Sequence, residues 1–299
     1  MSHLHDEKIK ELEVKANEVR ETIIKMLIAA GSGHTAGPLD MADIFTALYF
    51  HILRHDPKNP DWPDRDRLIL SNGHICPVLY ATMAHAGYMP VHEAESTLRK
   101  FGSRLQGHPH REWFPALETS SGPLGSGLSQ AVGMALGDRM ERGRHSNRFF
   151  YVMMGDGELD CGQIWEAAML AGKEKIHNLI GFVDRNNIQI DGFTEDIMPL
   201  EPLKDKWESF GWHVQEIDGH DMEAIDRAVN EAKAYFAKPS IIIAHTIPGK
   251  GVEFTERRYE WHGNPPGKGM EDVFKKSEQG EEALKELRTL GGKIKSEHE

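Results

Sequence analysis

An aspartate between two glycines ends a long apolar run in the middle of the sequence. Asp156 stands between Gly155 and Gly157, after the apolar residues 149–154, and Asn186 follows the next apolar run about one βαβ unit later. Because the carboxyl ends of neighbouring parallel strands meet at one sheet edge, where ligands bind, we expect these side chains to lie close together. Carboxylate and amide oxygens suit Mg²⁺ or Ca²⁺, and Mg²⁺ commonly shares its coordination with phosphates. The glycines let an anion approach the backbone and the following helix favours its charge, so the spacing predicts a metal and diphosphate site.

Four histidines lie beside glycine or proline in predicted loops and form a second group of residues that could take part in chemistry. They are His34, His74, His108 and His262, among seventeen histidines in the chain. Each one alone is most simply a surface residue, but four in such settings indicate a common site. Imidazole near neutral pH can donate a hydrogen bond, accept one and carry a proton. These properties suit the binding of a diphosphate and of a sugar phosphate.

The elements that must position these residues alternate between strands and helices, most clearly in the second half of the chain. Apolar runs predict strands at 67–70, 149–154, 178–184, 213–217 and 240–246, and longer periodic stretches predict helices at 6–30, 39–53, 76–86, 91–100, 164–172, 201–210 and 221–237. This alternation predicts an α/β fold with a mostly parallel sheet and helices on both faces. We expect one domain over residues 1–276 and a charged, solvated tail over residues 277–299.

Composition and charge restrict the class of protein. The chain has 299 residues, of which 39% are hydrophobic and 27% charged, and its formal net charge is −12. The composition is ordinary for a globular protein, and the negative charge argues against a nucleic-acid-binding surface, which needs clustered Lys and Arg. Two cysteines form no disulfide framework, no apolar run approaches a membrane span, and the charged N-terminus lacks the apolar core of a signal peptide. We therefore expect a cytoplasmic protein without nucleic-acid or membrane partners.

The glycine–aspartate stretch and the segment around Asn186 together resemble the diphosphate-and-metal motif of thiamine-diphosphate enzymes. The matching residues are Gly155-Asp-Gly-Glu158 and Asp184-Arg-Asn-Asn-Ile-Gln-Ile-Asp-Gly192. The resemblance implies thiamine diphosphate as the cofactor, with Mg²⁺ or Ca²⁺ as its metal. It also implies that Asp156, Asn186 and the backbone carbonyl of Ile188 are the metal ligands.

Further segments resemble the N-terminal part of transketolase, over about residues 15–268. They are Gly31-Ser-Gly-His34, Ser71-Asn-Gly-His74, Gly107-His-Pro109, Ser121-Gly-Pro-Leu-Gly-Ser-Gly-Leu128 followed by Ala131-Val-Gly-Met-Ala135, and Trp261-His-Gly263. The resemblance implies the thiamine-diphosphate-binding fold, in its diphosphate-binding form, and catalytic roles for the four histidines. The cofactor contacts that it implies are His74, Gly122, Leu124, Gly155, Asp156, Gly157, Glu158, Asp184, Asn186, Ile247 and His262.

The resemblance also implies that the chain works with a second polypeptide. Full-length transketolases carry a further, pyrimidine-binding domain with an essential glutamate and phosphate-binding arginines. The chain resembles the N-terminal subunit of a split transketolase, and its partner is a C-terminal transketolase subunit that supplies the catalytic glutamate and the phosphate-binding residues, in an α₂β₂ heterotetramer. The implied reaction transfers a two-carbon ketol (glycolaldehyde) unit from a ketose phosphate to an aldose (EC 2.2.1.-). Pentose phosphates are the default sugars, and a branched or sulfonated ketose is the alternative.

Three positions depart from the family pattern. Cys161 stands where the family usually has a glutamate that links two active sites; we interpret it as a tolerated buried cysteine, with altered or redox-sensitive coupling as the alternative. The loop His34-Thr-Ala-Gly-Pro-Leu-Asp40 stands where the family commonly has His-Pro-Gly-Ala-Pro-Leu-Gly or a Gly-Gly-Ser variant, which leaves the donor and acceptor sugars open. Cys76 follows the Ser-Asn-Gly-His loop and is interpreted as a packing residue.

Other classes of protein stay open on the sequence alone. The α subunit of a 2-oxo acid dehydrogenase also carries Gly-Asp-Gly followed by Asn and needs a partner, but the four histidines and Trp261-His-Gly argue against it. An enzyme similar to deoxyxylulose-phosphate synthase carries both domains in one chain, for which this chain is too short. A non-catalytic subunit that kept the fold is supported only by Cys161 and is opposed by the retained Asp156, Asn186 and histidines.

Overall fold

Seven strands are present in a computed structural model that describes residues 4–144, 146–267 and 279–289. They are Arg67–Leu70 (β1), Phe150–Gly155 (β2), Leu179–Arg185 (β3), Ile188–Gln189 (β4), Gly192–Phe193 (β5), His213–Asp218 (β6) and Ser240–His245 (β7). Five of them form a parallel sheet in the order β1-β2-β3-β7-β6, and β4 pairs with β5 as a short antiparallel hairpin. The predicted α/β fold with a mostly parallel sheet is therefore confirmed.

Helices cover this sheet and occur throughout the described ranges. They are Asp6–Ala30 (α1), Ala36–Asp40 (α2), Ala42–Ala47 (α3), Cys76–His85 (α4), Val91–Thr97 (α5), Ser126–Arg142 (α6), Gly162–Glu174 (α7), Thr194–Ile197 (α8), Leu203–Ser209 (α9), Met222–Ala234 (α10) and Gln279–Thr289 (α11). The apolar stripe of α1 is buried, and the helix ends at Gly31, whose φ of 59° is a left-handed conformation that glycine adopts without strain. Within the described ranges, none of these helices has the length and apolarity that crossing a bilayer requires.

The two faces of the sheet are covered by different helices. Successive side chains of a strand point to opposite faces, so Tyr151 and Met153 of β2 pack with α1, α3, α4 and α10, whereas Val152 and Met154 pack with α6, α7 and α9. Burial on both faces explains why the strands are continuous apolar runs in the sequence.

The register of the sheet brings the chemically interesting residues to one edge. At the carboxyl ends of the strands, Gly155 of β2 pairs with Asp184 of β3, and Asp184 pairs with Ala244 of β7. The chain leaves β2 through Asp156 and leaves β3 through Asn186. The edge at which we expected Asp156 and Asn186 to meet is thus formed by neighbouring parallel strands.

Two sequence predictions need correction, and one helix was not predicted. The helix predicted at 39–53 is two short helices, α2 and α3, followed by a π-helical turn at Leu48–Ile52. The sequence patterns do not predict the helix α6. The expectation of a solvated tail is wrong for residues 279–289, because α11 packs on α1, buries Ala283 and Leu287, and accepts a hydrogen bond from Asn17 Nδ2 at the Leu287 carbonyl (3.0 Å). The predicted domain boundary at residue 276 lies outside the described residues and stays a prediction.

Candidate active site

A cavity of about 280 Å³ opens at the carboxyl edge of β2 and β3. All predicted site residues except Ile247 line it, namely His34, His74, His108, Gly122, Leu124, Gly155, Asp156, Gly157, Glu158, Asp184, Asn186, Ile188 and His262. Residues that are far apart in the sequence thus meet at the edge where ligands of parallel-sheet proteins bind.

Three of the four histidines form a compact cluster in this cavity. The ring centroid of His34 lies 4.7 Å from that of His74 and 5.4 Å from that of His262, and the His74 and His262 centroids are 5.2 Å apart. His108 lies more exposed at the rim, next to Gly122. The four rings come from segments that are far apart in the sequence, so only the tertiary fold brings them together.

Burial keeps the clustered imidazoles neutral. Loss of solvent lowers the pKa of His34 to about 3 and that of His262 to about 4, and it lowers the pKa of His74 well below its usual value. At His34 and His74 the neighbouring rings lower the pKa further, since two imidazolium charges so close together repel each other. Near pH 7 each ring therefore has one N–H donor and one nitrogen acceptor.

Asp156 is held at the end of β2 by backbone and side-chain donors. Its Oδ1 accepts from the Gly157 N–H (2.7 Å), and its Oδ2 accepts from the Asn187 N–H (2.7 Å) and from Arg185 Nη1 (3.1 Å). Burial raises the pKa of Asp156 to about 6, although Arg185 and the backbone donors oppose the rise. These bonds fix the carboxyl at the sheet edge and leave lone pairs for a further partner.

Asn186 lies between two buried carboxyl groups. Its Nδ2 donates to Asp184 Oδ2 (2.9 Å) and to Asp40 Oδ2 (3.1 Å), and its Oδ1 accepts from the Ile188 N–H (3.1 Å). Thr246 Oγ1 in turn donates to Asp184 Oδ1 (2.5 Å). Burial raises the pKa of both carboxyls, and their mutual repulsion adds to the rise at Asp40.

Glu158 organises the loops around the cavity. Its Oε1 accepts hydrogen bonds from the Ser71 hydroxyl and from the Gly125 N–H (2.6 Å), and its Oε2 accepts from the Gly155 N–H (3.1 Å). Burial raises the pKa of Glu158 to about 6. Gly125 has a φ of 87° and a side chain there would collide with the Cβ of Cys161, so this approach requires glycine.

Ile247 is buried and is not among the residues that line the cavity. Its N–H donates to Nε2 of His220 (2.8 Å), and Nδ1 of His220 lies 2.8 Å from the carboxylate of Asp43, which also pairs with Arg20. This chain of contacts fixes the segment that follows β7. The proposed contact of Ile247 with a cofactor stays a prediction.

The donor set fits a divalent metal and a diphosphate. Several of the lining residues have a buried polar atom without a hydrogen-bond partner among the described residues: His34 Nδ1, Asn72 Oδ1, Gln189 Nε2 and His262 Nδ1. Orphaned buried polar atoms are costly unless a ligand or water satisfies them, so these atoms could serve a ligand in the cavity. In the described part of the chain, no cluster of three or more His, Cys, Asp or Glu side chains could hold an ion. A metal here would thus need the amide oxygen of Asn186, a backbone carbonyl and ligand phosphates beside Asp156.

Other lining residues were not identified from the sequence. They are Gly37, Asn72, Ile75, Gln189 and Ile190. Asn72 precedes His74 in the Ser-Asn-Gly-His motif, so its place in that motif was a usable signal. Gln189 and Ile190 also lie inside a motif that was quoted, but nothing in the local pattern distinguishes their side chains from those of their neighbours.

The two cysteines differ in their surroundings. Cys76 is buried, its Sγ donates to the Gly107 carbonyl (3.2 Å), and burial raises its pKa to about 12. Cys161 is half-buried beside Gly125, and partial burial with the nearby Glu158 and Asp160 raises its pKa. Both thiols are therefore protonated at neutral pH.

Comparison with protein families adds independent evidence to this geometry. A family model described as the thiamine diphosphate binding domain of transketolase matches residues 12–283. A 6-deoxy-6-sulfo-D-fructose transketolase subunit from Clostridium sp. strain MSTE9 is 46% identical over 84% of this chain and 90% of its own length. An apulose-4-phosphate transketolase subunit from Phocaeicola vulgatus is 38% identical over 97% of this chain and 98% of its own length.

The fold of the chain is similar to those of transketolases with solved structures. A variant of transketolase from Pichia stipitis superimposes with a TM-score of 0.83 at 33% identity, over 93% of this chain but 40% of the transketolase chain. Transketolase from Campylobacter jejuni gives a TM-score of 0.80 at 32% identity, over 96% of this chain and 49% of its own. The chain thus spans less than half the length of these solved proteins, whereas it spans nearly all of the two relatives named as subunits.

Proposed function

The chain belongs to the transketolase family, and we propose that it is the thiamine-diphosphate-binding N-terminal subunit of a two-subunit transketolase. The observation that carries the proposal is the convergence of the four histidines with Asp156 and Asn186 on one cavity. The names of the two relatives as transketolase subunits support the two-chain organisation. The reaction is the transfer of a two-carbon ketol unit from a ketose to an aldose.

Thiamine diphosphate, when bound, supplies a carbanion nucleophile and an electron sink for cleavage of the bond next to a carbonyl. We assign the diphosphate to the edge formed by Gly155 and Gly157, with His74 and His262 beside it. Asp156, Asn186 and the carbonyl of Ile188 would hold a Mg²⁺ or Ca²⁺ ion, whose charge would neutralise that of the diphosphate. We assign Gly122 and Leu124 to contacts with the aminopyrimidine, and Asp184 to support of the site through Asn186.

The histidines are the groups that handle protons on the sugar. His34, His74 and His262 are neutral near pH 7, because burial lowers their pKa values. Each can donate a hydrogen bond to an alkoxide or carbonyl oxygen and accept one from a hydroxyl, so the cluster can move a proton without holding a net charge. We assign His108, at the rim, a position nearer to the entering sugar than the other three histidines.

In this proposal a second subunit completes the active site. It supplies the glutamate that activates the aminopyrimidine and the cations that bind the anionic end of the sugar, in an α₂β₂ assembly. The donors to test first are those that the relatives' names give, 6-deoxy-6-sulfofructose and apulose 4-phosphate, beside ordinary pentose and hexose phosphates. A cytoplasmic location stays a prediction from the sequence.

The test is a ketol-transfer assay on the chain co-purified with its partner subunit. A ketose labelled at its first two carbons is offered with an aldose, with thiamine diphosphate and Mg²⁺ present, and the label in the lengthened product is followed. We expect transfer by the parent complex, a loss of about 100-fold or more in His74→Ala, and no loss in His92→Ala, which changes an exposed histidine of α5. Decarboxylation of a 2-oxo acid without ketol transfer would instead identify a 2-oxo acid dehydrogenase subunit. Cofactor binding without either reaction would identify a non-catalytic subunit.

A further inference from the structure

We infer that Asp40 is a positioning residue, whose carboxyl fixes the orientation of the Asn186 amide and so presents the Asn186 carbonyl oxygen to the metal. The inference rests on the proposed function, because it concerns the same metal site. It assigns a role to the loop that departs most clearly from the family pattern, since the family commonly has glycine where this chain has Asp40.

Both amide hydrogens of Asn186 have hydrogen-bond partners, and its amide oxygen has one. Its Nδ2 carries two hydrogens, and they meet two acceptors, Asp40 Oδ2 at 3.1 Å and Asp184 Oδ2 at 2.9 Å. Its Oδ1 accepts one hydrogen bond, from the Ile188 N–H at 3.1 Å. Because an amide oxygen has two lone pairs, one lone pair stays available for an ion.

The partners also exclude the opposite orientation of the amide. A half-turn about the last side-chain bond would place Oδ1 against the oxygens of Asp40 and Asp184 and would point an N–H of Asn186 at the N–H of Ile188. Asp184 alone satisfies only one of the two amide hydrogens. Asp40 satisfies the second one and so completes the set of contacts that favours the present orientation over the opposite one.

The carboxyl of Asp40 is itself held in place. The side chain is fully buried at the end of α2. The carbonyl of the preceding residue, Leu39, accepts a hydrogen bond from Arg20 Nε (3.0 Å), and Arg20 is anchored on Asp43. The end of α2 is thus tied to α1 and α3, so the Asp40 carboxyl meets Asn186 from a fixed backbone.

Metal affinity measured apart from turnover tests this role. In the complex with the partner subunit, Mg²⁺ is titrated at a fixed concentration of thiamine diphosphate, cofactor binding is followed by calorimetry, and the titration is repeated with Ca²⁺. Asp40→Leu and Asp40→Ala remove the acceptor, and we expect the half-saturating metal concentration to rise about tenfold. Asp40→Asn keeps an acceptor oxygen and should stay within about threefold of the parent. Using both Leu and Ala keeps the test decisive if the larger side chain prevents folding.

Asp226→Leu is the matched control. Asp226 is a buried carboxyl that also accepts from an asparagine amide, Asn230 Nδ2 at 2.9 Å, but it lies on α10 and does not line the cavity. A merely structural loss should lower the melting temperature in the Asp226 and Asp40 variants alike, whereas only the Asp40 variants should change the metal titration. Asp40→Ala that folds and retains the parent's half-saturation overturns the inference and leaves the proposed metal site intact. Metal-independent cofactor binding by the parent overturns the metal site itself, and the inference with it.

Discussion

His220→Phe should destabilise the chain by about 3 kcal/mol, because His220 joins two buried groups. The substitution leaves the Ile247 N–H without its acceptor, which costs ~1–3 kcal/mol. It also removes the hydrogen bond to the Asp43 carboxylate, a charge-assisted bond worth ~1.5–3 kcal/mol. Asp43 keeps its contact with Arg20, which offsets part of this loss. The aromatic ring keeps most of the packing volume, so the expected loss reflects hydrogen bonds rather than a cavity.

Urea unfolding followed by tryptophan fluorescence measures this change, with His245→Phe as the matched control. His245 also pairs with a carboxylate, Glu216 at 3.2 Å, but both side chains are about half exposed. Exposed pairs contribute ~0–1 kcal/mol, so the control should change the free energy of unfolding by less than ~1 kcal/mol. Equal losses in the two variants would refute the reasoning that burial makes the His220 contacts strong.

Two further predictions concern the cavity. The pKa of His34 is about 3 in the folded chain, below the ordinary ~6.5, so the unfolded chain takes up the proton first and stability falls as the pH drops below ~6.5. His34→Gln removes this effect. Between pH 6.5 and pH 5 the free energy of unfolding in urea should therefore fall by ~1.5 kcal/mol less in the variant than in the parent. Equal falls in the two proteins would contradict the prediction. Cys161→Glu should leave the cooperativity of cofactor binding by the complex unchanged, because Cys161 packs beside Gly125. An altered Hill coefficient or activation lag would favour the coupling interpretation.

The sheet could be predicted from the sequence because its strands are buried on both faces. Runs such as 149–154 and 178–184 are apolar at nearly every position, and the observed strands β2 and β3 begin and end within one residue of them. The helix α6 is harder to predict because its sequence is rich in glycine. Gly127, Gly133 and Gly137 interrupt the apolar spacing of α6, and Gly127 is required there because a Cβ would lie 2.4 Å from the Cβ of Ser71.

The last helix shows the limit of an argument from charge alone. The many charged residues of the tail predict a solvated segment, although Ala283 and Leu287 stand four positions apart, a spacing that puts both on one helix face. Those two residues are the ones that α11 buries. That spacing favours a helix whose apolar face packs on the domain.

The residues of the candidate site were identifiable from motifs, but their support was not. Nothing local in the sequence indicates that Asp40 meets Asn186 or that Thr246 meets Asp184, because these contacts join loops far apart in the chain. Likewise, the neutrality of His34 follows from its burial beside His262, which depends on the tertiary fold. Motifs and the family resemblance therefore predicted residues that line one cavity, and the fold determines their protonation and orientation.

The charges that line the cavity affect how the two proposed ligands would bind. Among the described lining residues there are three carboxyl groups, on Asp156, Glu158 and Asp184, together with four imidazoles, but no lysine or arginine. A diphosphate alone would bring its negative charge against those carboxyl groups, and a divalent cation alone would lack the phosphate oxygens to complete its coordination. If the cavity binds both ligands as proposed, each would raise the affinity of the cavity for the other, and by thermodynamic reciprocity by the same factor. The diphosphate and the divalent cation would then be bound together and released together.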